Sequence, residues 1–261
     1  MSRRPNLVEL PEHTQFEPLM ADIQRYAVSD PNLPNREILL GQVGWQVSRF
    51  IQDLMHDASK TALLLETLRV LRAAAGPGKS TAEEKLLSHL QRVAWNCVQC
   101  LEAEGVTLAS CRTTGLTSAD PDLQPLCDVL ALLVAFAREC FEFNRPRDNF
   151  AGQRRALAFD ILGEVGDILD LPDVVELARQ IIKKGRADTV GALVFLEQYL
   201  GARQERPDDD LKTAILAYSI KANRRGAVVA ALHVLVKTGT IHEMEACDRM
   251  DDWKTKHWGG G

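Results

Sequence analysis

Apolar residues spaced by three and four positions dominate the chain, whereas segments that alternate apolar and polar residues are nearly absent. In the first third, this spacing predicts three helices, over about residues 14–28, 36–57 and 60–75. The next segment begins with Ser80 and has Glu83 three positions later, which is the capping-box pattern of a helix N-terminus. We expect this helix to continue to about residue 104 and to end at Gly105.

Residues 106–118 are rich in Thr, Ser and Gly, which predicts a loop. This loop divides the chain into an N-terminal helical region, 1–105, and a C-terminal helical region, 119–258, with one continuous domain as the open alternative. The second region begins with a segment over about 122–143 that is apolar on most faces. A helix of that kind is buried on most of its sides.

Three apolar segments that resemble one another follow at intervals of 34 and 39 residues, at 156–167, 190–201 and 229–239. Between them lie two further helical segments, at 173–182 and 210–220. Pro172 and Pro207 stand just before these segments, where a helix can begin. The alternation indicates helical hairpins that recur along the chain.

This pattern, over about residues 150–250, resembles the HEAT/armadillo-like superfamily of helical repeats. The resemblance implies an all-α fold with an α–α superhelix of stacked helical hairpins in the C-terminal half. The N-terminal half is then a bundle of longer helices or a set of divergent repeats. Stacked hairpins of this kind form elongated surfaces that bind peptides or other proteins.

Composition narrows the class of protein further. The chain is 46% hydrophobic and 26% charged, with a formal net charge of −5, which disfavours a general nucleic-acid binder. Local basic pairs such as Arg154-Arg155 and Arg224-Arg225 keep nucleic acid as the weakest hypothesis. No apolar segment follows the basic N-terminus, and no apolar run approaches 18 residues. We therefore expect a cytoplasmic protein without membrane segments, in which the six cysteines are reduced thiols.

One stretch suggests catalysis. Glu164 and Asp167 stand three residues apart within GEVGD, and the earlier pair Glu139 and Glu142 has the same spacing. The segment resembles the all-α nucleotide pyrophosphohydrolases of the MazG and dCTPase kind, which use two acidic pairs to hold Mg²⁺. The resemblance implies that these four carboxylates bind magnesium. The chain departs from the family after GEVGD, where Gly185–Asp188 lacks the glutamate of a second acidic pair.

Other motifs are incomplete. Cys97 and Cys100 form a CxxC with two later thiols, but they occupy core-like helical positions, which favours buried free cysteines over zinc. The sequence from His242 begins like HExxH, yet Ala246 replaces the second histidine, so a zinc protease is rejected. GPGKST at 76–81 lacks the spacing of a phosphate-binding loop and fits a loop between helices.

The sequence thus predicts a non-catalytic scaffold or adaptor that needs no cofactor and binds a protein or peptide. A basic partner segment would suit the acidic net charge. Trp253 and Trp258, near the C-terminus, suit either an interface or a helix that covers the edge of the core. The alternative is a Mg²⁺-dependent nucleotide pyrophosphohydrolase. The candidate binding residues are Glu176, Arg179, Lys183, Lys212, Lys221, Arg225, Trp253 and Trp258.

Overall fold

The computed structural model describes residues 80–118, 120–142, 151–186 and 188–258, together with Ala21, which is helical. The predicted helices over 36–57 and 60–75 lie outside these residues, as does the rest of the helix predicted over 14–28. Within the described part, all regular structure is helical, which confirms the predicted all-α class. The helices are α1 (Ser80–Ala103), α2 (Leu108–Thr114), α3 (Gln124–Glu142), α4 (Ala151–Val165), α5 (Pro172–Lys184), α6 (Thr189–Arg203), α7 (Asp209–Lys221), α8 (Arg225–Lys237) and α9 (Glu243–Trp258).

The segment predicted as a loop contains α2, so that prediction was wrong for residues 108–114. The Thr107 hydroxyl accepts a hydrogen bond from the Ser110 amide at 3.3 Å, and the Ser110 hydroxyl accepts one from the Thr107 amide at 3.0 Å. Serine and threonine favour loops and helix caps alike, because their hydroxyls bond nearby backbone groups. Here they begin a helix.

Helix α3 is the apolar helix that the sequence predicts over about 122–143. Nine of its 19 residues are buried, including Leu130, Leu133 and Ala137. It packs against α4 and α1. The described end of the N-terminal region therefore lies directly on the C-terminal region, and residues 106–118 do not hold the two apart.

Helices α4, α6 and α8 form one row, in which α4 contacts α6 and α6 contacts α8. Helix α5 packs on α6 and α7 packs on α8, so each pair is a hairpin, and α5 also contacts α7. The structure thus places the three similar apolar segments side by side, at the helices that the sequence predicts. The superhelical path and the HEAT/armadillo relationship remain predictions.

A file of aromatic rings crosses this row. Phe141 of α3 lies 4.6 Å from Phe159 of α4, measured between ring centroids. Phe159 lies 5.6 Å from Phe195 of α6, which lies 5.3 Å from Tyr199. Phe159 and Phe195 are fully buried. Ring pairs at these separations add to the energy of apolar burial, so the file joins α3 and α4 to the α5–α6 hairpin in one core.

Helix α5 ends at Gly185, whose φ of 59° lies in the left-handed region where glycine avoids strain. Lys183 and Lys184 occupy its last turn, where positive charge interacts favourably with the negative end of the helix dipole. This local chemistry places two lysines beside the turn into α6, next to the end of α7.

Helix α9 packs on α8 and covers the end of the stack. Trp253 is 5% exposed, and its indole Nε1 donates a hydrogen bond of 2.7 Å to the carbonyl of Ala222, the residue that ends α7. The interpretation of this tryptophan as cover for the core is therefore confirmed. None of the helices in the described residues combines the length and the hydropathy that crossing a bilayer requires.

Candidate functional site

Three of the predicted binding residues belong to an ion-pair network between α5 and α7. Arg179 donates to both carboxylate oxygens of Asp208, at 2.6 and 2.8 Å, and to Asp210 at 2.9 Å. Its Nε lies 3.0 Å from Glu176, an ion-pair contact outside hydrogen-bond geometry. Lys183 donates to Asp210 at 2.7 Å. The network links the middle and the last turn of α5 to the start of α7.

The charges of this network perturb one another. Hydrogen bonds from Arg179 and from the Leu211 amide lower the pKa of Asp208 to about 2. Those from Lys183 and Arg179 lower the pKa of Asp210, and the two aspartates raise the pKa of Arg179. The three nominated side chains are thus already paired within the chain, so the structure assigns them an intramolecular role.

The remaining predicted residues are scattered. Lys212 is half-buried near the start of α7, whereas Lys221 and Arg225 are exposed around the turn from α7 to α8. Trp253 is buried against Ala222, as described above. Trp258 is the last residue of α9, and its side chain lies outside the described part. Of all the predicted residues, Glu176 and Arg179 line one surface opening, and Lys183 and Lys221 line another.

The opening beside Lys183 and Lys221 is a cleft of about 500 Å³ between the ends of α5 and α7, here called the lysine cleft. It is lined by 182–185 of α5 and its cap, and by residues of α7 and its end; the full lining is Ile182, Lys183, Lys184, Gly185, Ala214, Ala217, Tyr218, Lys221, Ala222 and Asn223. Three of these residues are lysines and none is acidic.

The hairpins carry exposed basic side chains at their turns. The turns inside them, at 183–188 and 221–225, carry Lys183, Lys184, Arg186, Lys221, Arg224 and Arg225, all exposed. The acid in these turns, Asp188, is buried and accepts a hydrogen bond of 2.6 Å from Arg155. The turn between hairpins at 204–208 leads instead into three consecutive aspartates, at 208–210. Two of these three aspartates, at 208 and 210, pair with Arg179 and Lys183 of α5.

The four carboxylates of the magnesium hypothesis lie on two different helices and in the turn that follows the second. Glu139 and Glu142 are on α3, Glu164 is on α4, and Asp167 follows α4. Glu164 accepts a hydrogen bond from Gln91 of α1 at 3.2 Å. Within the described residues, which include all four, no three His, Cys, Asp or Glu side chains are grouped so that they could hold a metal ion.

Glu164 and Asp167 belong instead to an acidic group that faces α1. Burial, and then the charge of Glu164, raises the pKa of Asp160 to about 6. Burial, Glu102 and Glu164 raise the pKa of Asp167 to about 6, against the opposing effect of Arg203. The two glycines of GEVGD have a packing role: a side chain at Gly163 would meet Gln198 of α6, and one at Gly166 would meet Tyr199.

The six cysteines are free thiols. Cys97 and Cys127 are fully buried, and burial raises the pKa of both thiols, that of Cys127 to about 11. The prediction of core positions for the CxxC pair is thus confirmed for Cys97, whereas Cys100 is only partly buried. His242 accepts a hydrogen bond from the Met244 amide at 3.3 Å, so it serves the start of α9.

Arg203 is a structural residue that the sequence does not predict. Its side chain is 2% exposed and donates to the carbonyls of Gly166 and of Leu169, the latter at 2.8 Å. Nothing in the sequence marks it, because its partners lie in a turn more than 30 residues away and meet it only in the folded chain.

The chain was compared with protein-family models, with curated proteins and with solved structures. None of the three comparisons finds a match.

Proposed function

We propose that this protein is a non-catalytic binding module that presents the surface of its stacked helical hairpins to a protein or peptide partner. The observation that carries the proposal is the lysine cleft, an opening whose lining comes from two successive hairpins and includes three lysines. Hairpins that share a core make a rigid surface, and a partner can contact several of them at once. The proposed HEAT/armadillo relationship leads to the same function.

Two further features support this function. The charged side chains between α5 and α7 are paired with one another, so they strengthen a scaffold rather than poise a reaction. The free thiols, four of them buried, suit a reducing compartment, which supports action in the cytoplasm.

The test is recovery of a stoichiometric partner. The tagged full-length protein is used to purify associated proteins, and each candidate is then produced separately and mixed with it. We expect one candidate to form a complex of defined stoichiometry in size-exclusion chromatography with light scattering. If no purified candidate forms such a complex, the binding function fails.

The magnesium-dependent pyrophosphohydrolase is tested in parallel by measuring pyrophosphate release from a panel of nucleoside triphosphates, with and without Mg²⁺. The matched variants are Glu164→Gln and Asp167→Asn. Release that requires Mg²⁺ and is lost in both variants would replace the binding proposal with hydrolysis. We expect no release above the protein-free control.

A further inference from the structure

The lysine cleft exists because small residues face each other where α5 ends. Gly185 terminates α5, and Ala214, Ala217 and Ala222 contribute little side-chain volume from α7 and its end. The space that remains is lined by the three lysines, by Ile182 and by Tyr218. An occupant therefore meets apolar groups inside and positive charge at the edge.

The charge of the cleft is not neutralised from within the described chain. Lys183 is paired with Asp210, but no carboxylate of the described residues lies within ion-pair distance of Lys184 or Lys221. Arg224 adds positive charge from the adjacent turn. Burial raises the pKa of Tyr218, and the hydrogen bond with Thr189 and then the charge of Arg224 partly oppose that rise. Clustered positive charges that lack a partner repel one another, and a bound anion would relieve that repulsion.

We propose that the lysine cleft binds an acidic peptide segment of the partner protein. This inference rests on the proposed binding function and names its surface and the chemistry of the occupant. It reverses the expectation from net charge, because the acids at 208 and 210 that would attract a basic segment are already bound by Arg179 and Lys183.

A peptide fits the cleft better than a nucleic acid does. The only ring among the lining residues is Tyr218, whereas single-stranded nucleic acid binds along extended basic grooves with several stacking rings. The net charge of −5 disfavours a long polyanion, which would extend beyond the cleft over the rest of the surface. A short segment with carboxylates on either side of an apolar side chain matches both the lysines and the alanine-lined interior.

The test uses fluorescence anisotropy with a short fluorescein-labelled peptide in which Glu and Asp alternate with Leu and Ala. A peptide with Lys at every acidic position is the charge control, and labelled oligothymidylate tests nucleic acid. Binding is measured for the full-length wild type, for the cleft variant K184E/K221E and for the matched variant K237E/K256E. The second pair makes the same change of charge at exposed lysines outside the cleft.

We expect the acidic peptide to bind the wild type and to dissociate as salt is raised, because exposed charges are screened. The cleft variant should bind at least about tenfold more weakly, whereas the matched variant should stay within about twofold. Circular dichroism checks that both variants remain folded. All these residues are exposed, so neither variant disturbs the core.

The inference is overturned if the acidic peptide does not bind, if both variants lose affinity equally, or if oligothymidylate binds more tightly than the peptide. Its failure can be told apart from that of the proposed function. A purified partner that binds the cleft variant as well as the wild type would leave the binding module standing and remove the cleft from it.

Discussion

The guanidinium of Arg203 lies over the ring of Tyr199, with its central carbon 3.6 Å from the ring centre. The same group donates to backbone carbonyls of the turn between α4 and α5, and the Tyr199 hydroxyl accepts a hydrogen bond of 2.9 Å from the Leu171 amide. One helical turn of α6 therefore fixes the turn that follows GEVGD. The motif that resembles a metal site serves, in this fold, as a corner between packed helices.

Replacing Arg203 by alanine should destabilise the protein strongly. The carbonyls of Gly166 and Leu169 would lose their donor in a nearly buried site, at a cost of about 3 kcal/mol in the free energy of unfolding. Urea denaturation of R203A measures this loss, and the exposed Arg206 provides the control variant R206A, expected within about 0.5 kcal/mol of wild type. Equal stability of the two variants would show that the hydrogen bonds from Arg203 do not stabilise the turn between α4 and α5.

The contact between α4 and α6 depends on Gly191. A Cβ atom there would lie 2.7 Å from the Cα of Ala156, a backbone atom that cannot move without shifting α4. G191A should therefore cost about 2 kcal/mol through overpacking. In G226A, by contrast, the new methyl group meets open space, so we expect no loss or a gain of about 0.5 kcal/mol. Thermal unfolding of the two variants checks this, and a gain for G191A would refute the close packing.

The acidic group near α1 makes stability depend on pH. Folding raises the pKa of Asp160 and Asp167 to about 6, chiefly by burial, so the folded state holds their protons more tightly than the unfolded state. Stability therefore falls as pH rises from about 4 to about 6. After discounting for solvent screening, D160N/D167N should gain about 1 kcal/mol at pH 7 and show a smaller fall.

Urea denaturation at pH 5 and pH 7 measures this difference. Asp252, exposed on α9, provides the control D252N, which should keep the wild-type pH dependence. An unchanged fall between the two pH values in D160N/D167N would show that the two aspartates do not carry it.

Trp253 secures α9 through both its area and its hydrogen bond. W253F keeps most of the apolar surface but leaves the Ala222 carbonyl without its donor, which should cost about 1 kcal/mol. W253A also removes the ring and should cost about 3–5 kcal/mol. Chemical denaturation compares the two, and equal losses would mean that the hydrogen bond to Ala222, rather than the buried ring, accounts for the whole effect.

The sequence was informative wherever a local rule decides the outcome. Apolar spacing and Pro172 locate the hairpin helices, because helix starts and buried faces are determined within one or two turns. The role of α2 was missed because Thr107 and Ser110 favour a loop and a cap equally. The pairing of Lys183 and the burial of Arg203 depend on residues far along the chain, and local patterns carry no information about such partners.

The lysine cleft lies between these extremes. Lys183, Lys184 and Lys221 are visible in the sequence, and a hairpin repeat implies that alternate turns share an end. The sequence does not show how α5 and α7 are offset along their axes. This offset determines whether the ends of the two helices touch or leave a cleft. That offset is set by the contacts of α5 with α6 and of α7 with α8, summed over the core.

The aromatic file from Phe141 to Tyr199 has a consequence for unfolding. Its rings run from α3 and α4 to α6 of the α5–α6 hairpin, so unfolding of either unit would expose buried rings of the other. Backbone amide hydrogens in both units should then exchange with deuterated solvent at a common rate, because the two units unfold together. Arrays of stacked repeats whose units are less tightly joined can instead unfold one unit at a time.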